Sequence, residues 1–214
     1  MEKLPPEIIG EIQYYLSNRD LASFQSTSYQ LNIPVTESER LYRRYHKRNL
    51  SYLARIGDLT GVRYLVENGA DIHAKDELAL RSAAGTGQLD VVKYIIEQNG
   101  DLHADDDEAL RWAAEAGHLD VVKYLVDHGA NIHALDDAAL SFAAAEGHLD
   151  VVKYLIALGA NLQDDSLRWA AENGHLQVVK YLIDVGEFDV ESALESARAN
   201  GYSEITDYLV EYSR

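Results

Sequence analysis

Apolar residues recur along this chain at helical spacing, in blocks that copy one another. In GHLDVVKYLV (117–126), Val121, Val122, Leu125 and Val126 share one side of a helix, while Asp120 and Lys123 take the other. The same arrangement returns in GDLTGVRYLV (57–66), GQLDVVKYII (87–96), GHLDVVKYLI (147–156), GHLQVVKYLI (174–183) and GYSEITDYLV (201–210). Their leading glycines, Gly57, Gly87, Gly117, Gly147, Gly174 and Gly201, stand 30, 30, 30, 27 and 27 residues apart. Such a period marks a solenoid, in which each unit buries its apolar face only against its neighbours.

A second, shorter helical pattern precedes most of these segments: ALRSAAGTG (79–87), ALRWAAEAG (109–117), ALSFAAAEG (139–147) and SLRWAAENG (166–174). Alanine pairs such as Ala113–Ala114 favour helix and give it a narrow cross-section, so successive helices can pack closely. The closing glycine is placed for a left-handed C-terminal cap. Asp90, Asp120 and Asp150 then fall in the first turn of the following helix, where the dipole favours a negative charge. Asp76, Asp106 and Asp136, four residues before Leu80, Leu110 and Leu140, are expected to cap the first helices.

The runs AAEAGHLDVVKYLVDHGANIHA (113–134) and AAAEGHLDVVKYLIALGANLQ (143–163) resemble the helix–turn–helix core of ankyrin repeats. The family's Gly-x-Thr-Pro-Leu-His stretch is replaced here by xAL or xSL, and the missing residues come from the loop that normally projects as a β-hairpin. The resemblance therefore implies an all-α solenoid of about six helix pairs (counting both end units,) with short or absent fingers. The expected units are 49–75, 76–105, 106–135, 136–163, 164–189 and 190–214. Units this short resemble the ankyrin proteins of giant DNA viruses. The first and last, LSYLARIG and YSEITDYLVEYSR, read as caps with one wetted side.

Residues 1–48 do not share the period. LPPEIIGEIQYYL (4–16), RDLASFQSTSYQL and ERLYRRYHKR read as three helices, the last starting from Thr36 or Ser38 after Pro34. The run from Leu4 to Leu21 is similar to the F-box, a three-helix motif that docks on the Skp1 adaptor of cullin ubiquitin ligases. The resemblance gives Leu4, Pro5, Ile8, Ile9, Ile12, Leu16 and Leu21 to the Skp1-facing or core positions. The later part of the motif departs, reading SFQSTSYQLN without its tryptophan.

Charge narrows the choice of partner. Net charge is −17, but residues 1–48 carry seven Lys/Arg against six Asp/Glu, and residues 49–214 carry 12 against 30. So acidic an array repels phosphate backbones and anionic lipid, which argues against nucleic acid and membrane and for a basic protein target. The absence of cysteine removes disulfides, thiolate metal sites and a cysteine nucleophile. With no signal-peptide core at the start and no apolar run of membrane length, an intracellular setting is expected, cytoplasmic or nuclear, in the host cell if viral.

Little else carries chemistry. His73, His103 and His133 lie one repeat apart, as do His118, His148 and His175; about 10 Å separates such neighbours in a stack, too far for one metal ion. Because Gln88 and Gln163 stand in for them, hydrogen bonding between adjacent loops is the expected role. No metal site, cofactor or catalytic residue is assigned. Tyr64, Tyr94, Tyr124, Tyr154, Tyr181 and Tyr208, present in every unit, read as scaffold.

Positions that vary on this fixed scaffold are where specificity can be written. The residue after the helix leucine runs Arg81, Arg111, Ser141, Arg168; the next place holds Trp112, Phe142 and Trp169. Beyond the alanine pair come Thr86, Glu115, Glu146, Glu172 and Asn173. In ankyrins these places face the concave groove, which makes them target-binding candidates. The aromatic rings either fill space between repeats or form an exposed binding stripe. The reading that results is a substrate-recognition adaptor, with the array holding a target and residues 4–31 recruiting a Skp1–cullin ligase. The alternative is a plain binding scaffold, natural or designed, whose N-terminal segment only caps the array.

Overall fold

The computed structural model describes residues 37–213, so Leu4, Pro5, Ile8, Ile9, Ile12, Leu16 and Leu21 lie outside the described residues. α1 (Glu37–Tyr45) is followed by six helix pairs: α2 (Leu50–Arg55) with α3 (Leu59–Glu67), α4 (Ala74–Ala84) with α5 (Leu89–Glu97), α6 (Ala104–Glu115) with α7 (Leu119–Asp127), α8 (Ala134–Ala145) with α9 (Leu149–Ala157), α10 (Asp164–Glu172) with α11 (Leu176–Val185), and α12 (Glu191–Ala199) with α13 (Ser203–Tyr212). No strand occurs among the described residues, as the shortened finger loops predict.

One continuous core runs the length of the stack. In each central first helix the alanine pair and the leucine ahead of it are buried: Ala83, Ala84 and Leu80; Ala113, Ala114 and Leu110; Ala143, Ala144 and Leu140; Ala170, Ala171 and Leu167. The second helices add Val62, Val92, Val122, Val152 and Val179, with Ile95, Leu125, Leu155 and Leu182 one turn on. First helices pack closely on one another and second helices more loosely. Methyl-sized side chains on one row and Val, Ile, Leu and Tyr on the other explain the difference, and the tighter row is the inside of the curve.

The turn glycines serve two needs at once. Gly117 has φ +74, and a Cβ on it would lie 2.4 Å from Nδ1 of His148 in the following repeat. His118 and His175 sit in the same way on Gly87 and Gly147. The second histidine set thus packs its rings on the preceding turn, where hydrogen bonding between loops was expected. At the other turn, Asn99 (φ +65) occupies the left-handed place that Gly69, Gly129 and Gly159 take elsewhere.

The expected aspartate caps are a correction. Lys75-Asp76-Glu77, Asp105-Asp106-Asp107 and Leu135-Asp136-Asp137 each form a left-handed turn at the start of a first helix, with φ between +48 and +59. Asp76, Asp106 and Asp136 are its middle residues and make no capping bond to the helix. Left-handed backbone costs L-residues about 1–2 kcal/mol each, least for Asn and Asp, which accounts for the aspartates. The 27-residue unit lacks this turn: Gln163 is extended (φ −113) and α10 starts directly after it.

Each turn instead buries its third residue. Asp137 Oδ1 accepts from His133 Nδ1 at 2.8 Å and from the Asn161 backbone N–H at 3.1 Å, while Oδ2 accepts from Asn161 Nδ2 at 2.9 Å. Asp107 repeats the pattern with His103 (3.0 Å) and the Asn131 N–H (2.9 Å). Glu77 pairs with His73 in the first such turn. Asp107 and Asp137 thereby tie successive inter-repeat loops together, and the histidine–carboxylate pairs explain why Gln163, which has no such turn after it, interrupts the histidine series.

The hydrogen bond to Glu77 and its charge hold the exposed His73 imidazole above its ordinary 6.5, with Asp71 and Asp101 adding to the effect and partial desolvation opposing it. A raised folded pKa means the contribution is complete below about pH 6.5 and is lost as pH rises through the folded value. Thermal melts of the parent should therefore fall as pH rises above about 6.5, and His73→Gln should flatten that slope. Parallel slopes for the two proteins would refute the coupling.

A second ladder follows the convex row. Arg63, Lys93, Lys123, Lys153 and Lys180 each place their charge over the tyrosine of the next repeat, Tyr94, Tyr124, Tyr154, Tyr181 and Tyr208, at 4.8–5.8 Å from the ring centroid. Burial pushes the phenols of Tyr94, Tyr124, Tyr154 and Tyr208 up from 10.0. The tyrosines are scaffold, with a cation–π contact worth about 0.5–1 kcal/mol at exposed sites.

At the N-terminal end α1 packs on α3. Tyr45 is buried, its hydroxyl donates to Asp58 at 2.9 Å, and its ring lies 5.8 Å from that of Tyr64. Gly61 makes room for it, since a Cβ there would meet Tyr45 Cε1 at 2.6 Å.

Candidate protein-binding groove

The inner row of first helices presents its side chains at three positions per repeat. Two residues after the helix leucine, Trp112, Phe142 and Trp169 are half-buried. Phe142 and Trp169 stack with centroids 6.1 Å apart and planes 7° from parallel. Each of the three rings is thus enclosed over part of its surface and exposed over the rest.

The arginines beside them are less free than their sequence position suggests. Arg81 Nη2 donates to the Lys75 carbonyl at 2.8 Å, Nη1 reaches Asp105 at 3.1 Å and also Glu108, and the guanidinium stands 5.8 Å from the Trp112 centroid. Arg111 donates to the carbonyls of Asp105 (2.7 Å) and Asp106 (3.3 Å). Arg168, with no left-handed turn to bind, pairs with Asp165 at 2.9 Å and Glu172 at 3.2 Å. Each arginine is oriented by carboxylates or carbonyls, which makes the groove a preorganised polar surface.

Ser141 is a correction. It is 6% exposed and bonds to Ser166 Oγ at 2.9 Å, so it holds repeats together and offers a partner nothing. Thr86 and Asn173 also reach across repeats, donating to the Arg55 carbonyl (2.8 Å) and the Ala145 carbonyl (2.7 Å). Glu115 and Glu146 are exposed, and neither forms an ion pair among the described residues.

One surface escaped the sequence reading. The place ending each second helix runs Asn68, Gln98, His128 and then Leu158, Val185 and Tyr212, the last three more than 40% exposed. Its signal was present in the aligned repeats, as a polar-to-apolar change at one register.

Among the described residues no group of three or more His, Asp or Glu could hold a metal ion, and no helix is long and apolar enough to cross a membrane. A sequence profile described as ankyrin repeats (three copies) matches residues 50–136, 80–166 and 140–214. The chain belongs to the ankyrin repeat family. Among solved structures the human ASB11 ankyrin repeat domain is similar in fold, with a TM-score of 0.67 at 19% identity over 78% of this chain and 85% of that one. No curated protein gives a significant match. Ankyrin repeats imply protein–protein interaction, and proteins built from them are generally non-enzymatic binding scaffolds.

Proposed function

We propose that this ankyrin chain is a substrate-recognition adaptor. Its array binds a basic protein through the inner groove, and residues 4–31 recruit a Skp1–cullin ligase. The observation that carries the groove is the half-buried ring stripe Trp112–Phe142–Trp169, set among oriented arginines and exposed Glu115 and Glu146. Large amphipathic rings partly withdrawn from water make strong anchors at little entropic cost. The Skp1 half rests on the spacing of Leu4, Pro5, Ile8, Ile9, Ile12, Leu16 and Leu21 alone.

A second reading, the plain scaffold, draws support from α1. Tyr45 seals the apolar end of the first unit, which is what an N-terminal cap requires. One experiment separates the two. Full-length protein and its Ile8→Asp/Ile12→Asp variant are compared in a pull-down with purified Skp1 and in thermal melts. The adaptor reading expects capture by the parent, none by the variant, and unchanged melting. No capture by the parent at tens of micromolar, with a lowered melt in the variant, would leave the scaffold.

A further inference from the structure

Three left-handed turns start first helices, and the carbonyls of two of them hold a guanidinium. Arg81 and Arg111, each one residue after a helix leucine, donate to the Lys75 carbonyl and to the Asp105 and Asp106 carbonyls. The third turn, Leu135-Asp136-Asp137, has the same backbone conformation, but Ser141 stands where the arginine would be and points into its bond with Ser166. Among the described residues no side chain donates to the Leu135 or Asp136 carbonyl.

One of the carboxylates that Arg81 touches has a counterpart here, while Asp105 has none because the fifth repeat lacks the left-handed turn. Glu108, two residues before the next helix leucine, pairs with Arg81; Asp165 holds that place beside the fourth repeat. Trp112 lies under the Arg81 guanidinium; Trp169 holds its place, but its ring already stacks on Phe142 and has the Arg168 guanidinium 5.6 Å from its centroid. Arg168 uses only Oδ1 of Asp165, in bonds of 3.1 and 2.9 Å, and the carboxylate is 63% exposed, so Oδ2 can accept from another donor. Leu135 itself is 55% exposed and left-handed at φ +48, an apolar side chain in a place that Lys75 and Asp105 fill elsewhere.

We propose that the fourth repeat receives an arginine side chain from the bound protein, seated on the Leu135 and Asp136 carbonyls and Asp165. The site rests on the groove reading and narrows it, since it gives a basic target one defined residue and one defined place. Guanidinium suits it better than ammonium because its planar fork can reach carbonyl and carboxylate together. Leu135 would cover the aliphatic stem of the incoming side chain.

The test uses the isotope-labelled full-length protein, titrated with acetyl-Gly-Ser-Arg-Ser-Gly-amide and with its uncharged citrulline analogue and followed by amide shifts. The arginine peptide should shift residues 135–142 and 165–169, and citrulline should bind weaker by about tenfold or more, as expected for lost charge-assisted bonds. Ser141→Arg/Ser166→Ala supplies the guanidinium internally, in the manner of Arg111, and should abolish the response. Asp165→Asn, with no change in volume, should weaken it several-fold. Equal responses to the two peptides, shifts spread evenly over 105–112, or a response untouched in Ser141→Arg/Ser166→Ala would overturn the site. A protein partner that still binds this double variant through Trp112 and Phe142 would remove the arginine site and leave the groove standing.

Discussion

Replacing Asp137 by alanine should lower the unfolding free energy by about 3 kcal/mol, the cost of stripping partners from buried polar groups. The carboxylate is almost wholly enclosed and binds His133, the Asn161 backbone N–H and Asn161 Nδ2. Removing it leaves the Asn161 N–H without its acceptor and cuts the tie between the two loops that flank the fourth repeat. Part of the loss is conformational, because Asp137 has φ +59 and alanine tolerates that region poorly. Asp137→Gly separates the contributions: it relieves the backbone cost but still lacks the carboxylate. Asp137→Asn keeps the left-handed preference and one acceptor, yet sets an amide N–H₂ against Asn161 Nδ2, so it should fall in between. Urea unfolding of the four proteins measures the series. A loss below about 1 kcal/mol for alanine would mean that water replaces the carboxylate without penalty, against the burial described here.

Leu140→Ala should cost a similar amount, about 3 kcal/mol, and change the form of unfolding as well. Leu140 is fully buried at the centre of the array, between the alanine pairs of the flanking first helices. In a linear stack each unit is held by its neighbours alone, so a cavity at the middle weakens two interfaces at once and can uncouple the halves. Trp112 and Trp169 lie on either side of it in the stack. Single-tryptophan variants (Trp112→Phe or Trp169→Phe) in the Leu140→Ala background should unfold at different urea concentrations, while the same variants of the parent coincide. Coincident transitions in both backgrounds would show that cooperativity extends through the whole stack despite the cavity.

Periodicity alone determined the all-helical solenoid, its six pairs and its buried stripe, because a repeated apolar register leaves a chain no other way to hide its faces. The alanine pairs and turn glycines were legible for the same reason: each is a local steric demand, met within a few residues. α1 was legible too, as a helix after Pro34, although its docking through Tyr45 was not. What the tertiary structure decided are matters of which side chain meets which neighbour about thirty residues away. The aspartates four residues before the helix leucine read as caps, since capping is the common use of that residue there. Stacking instead set them in left-handed turns whose third carboxylate faces the following repeat. His118 and His148 read as hydrogen-bonding groups but lie on glycines. Ser141 looked like one more variable groove position until the shortened fifth repeat brought Ser166 within 2.9 Å of it. Local patterns fix the helices, whereas the partners of polar side chains depend on the separation and rotation between repeats, which no single window of sequence contains.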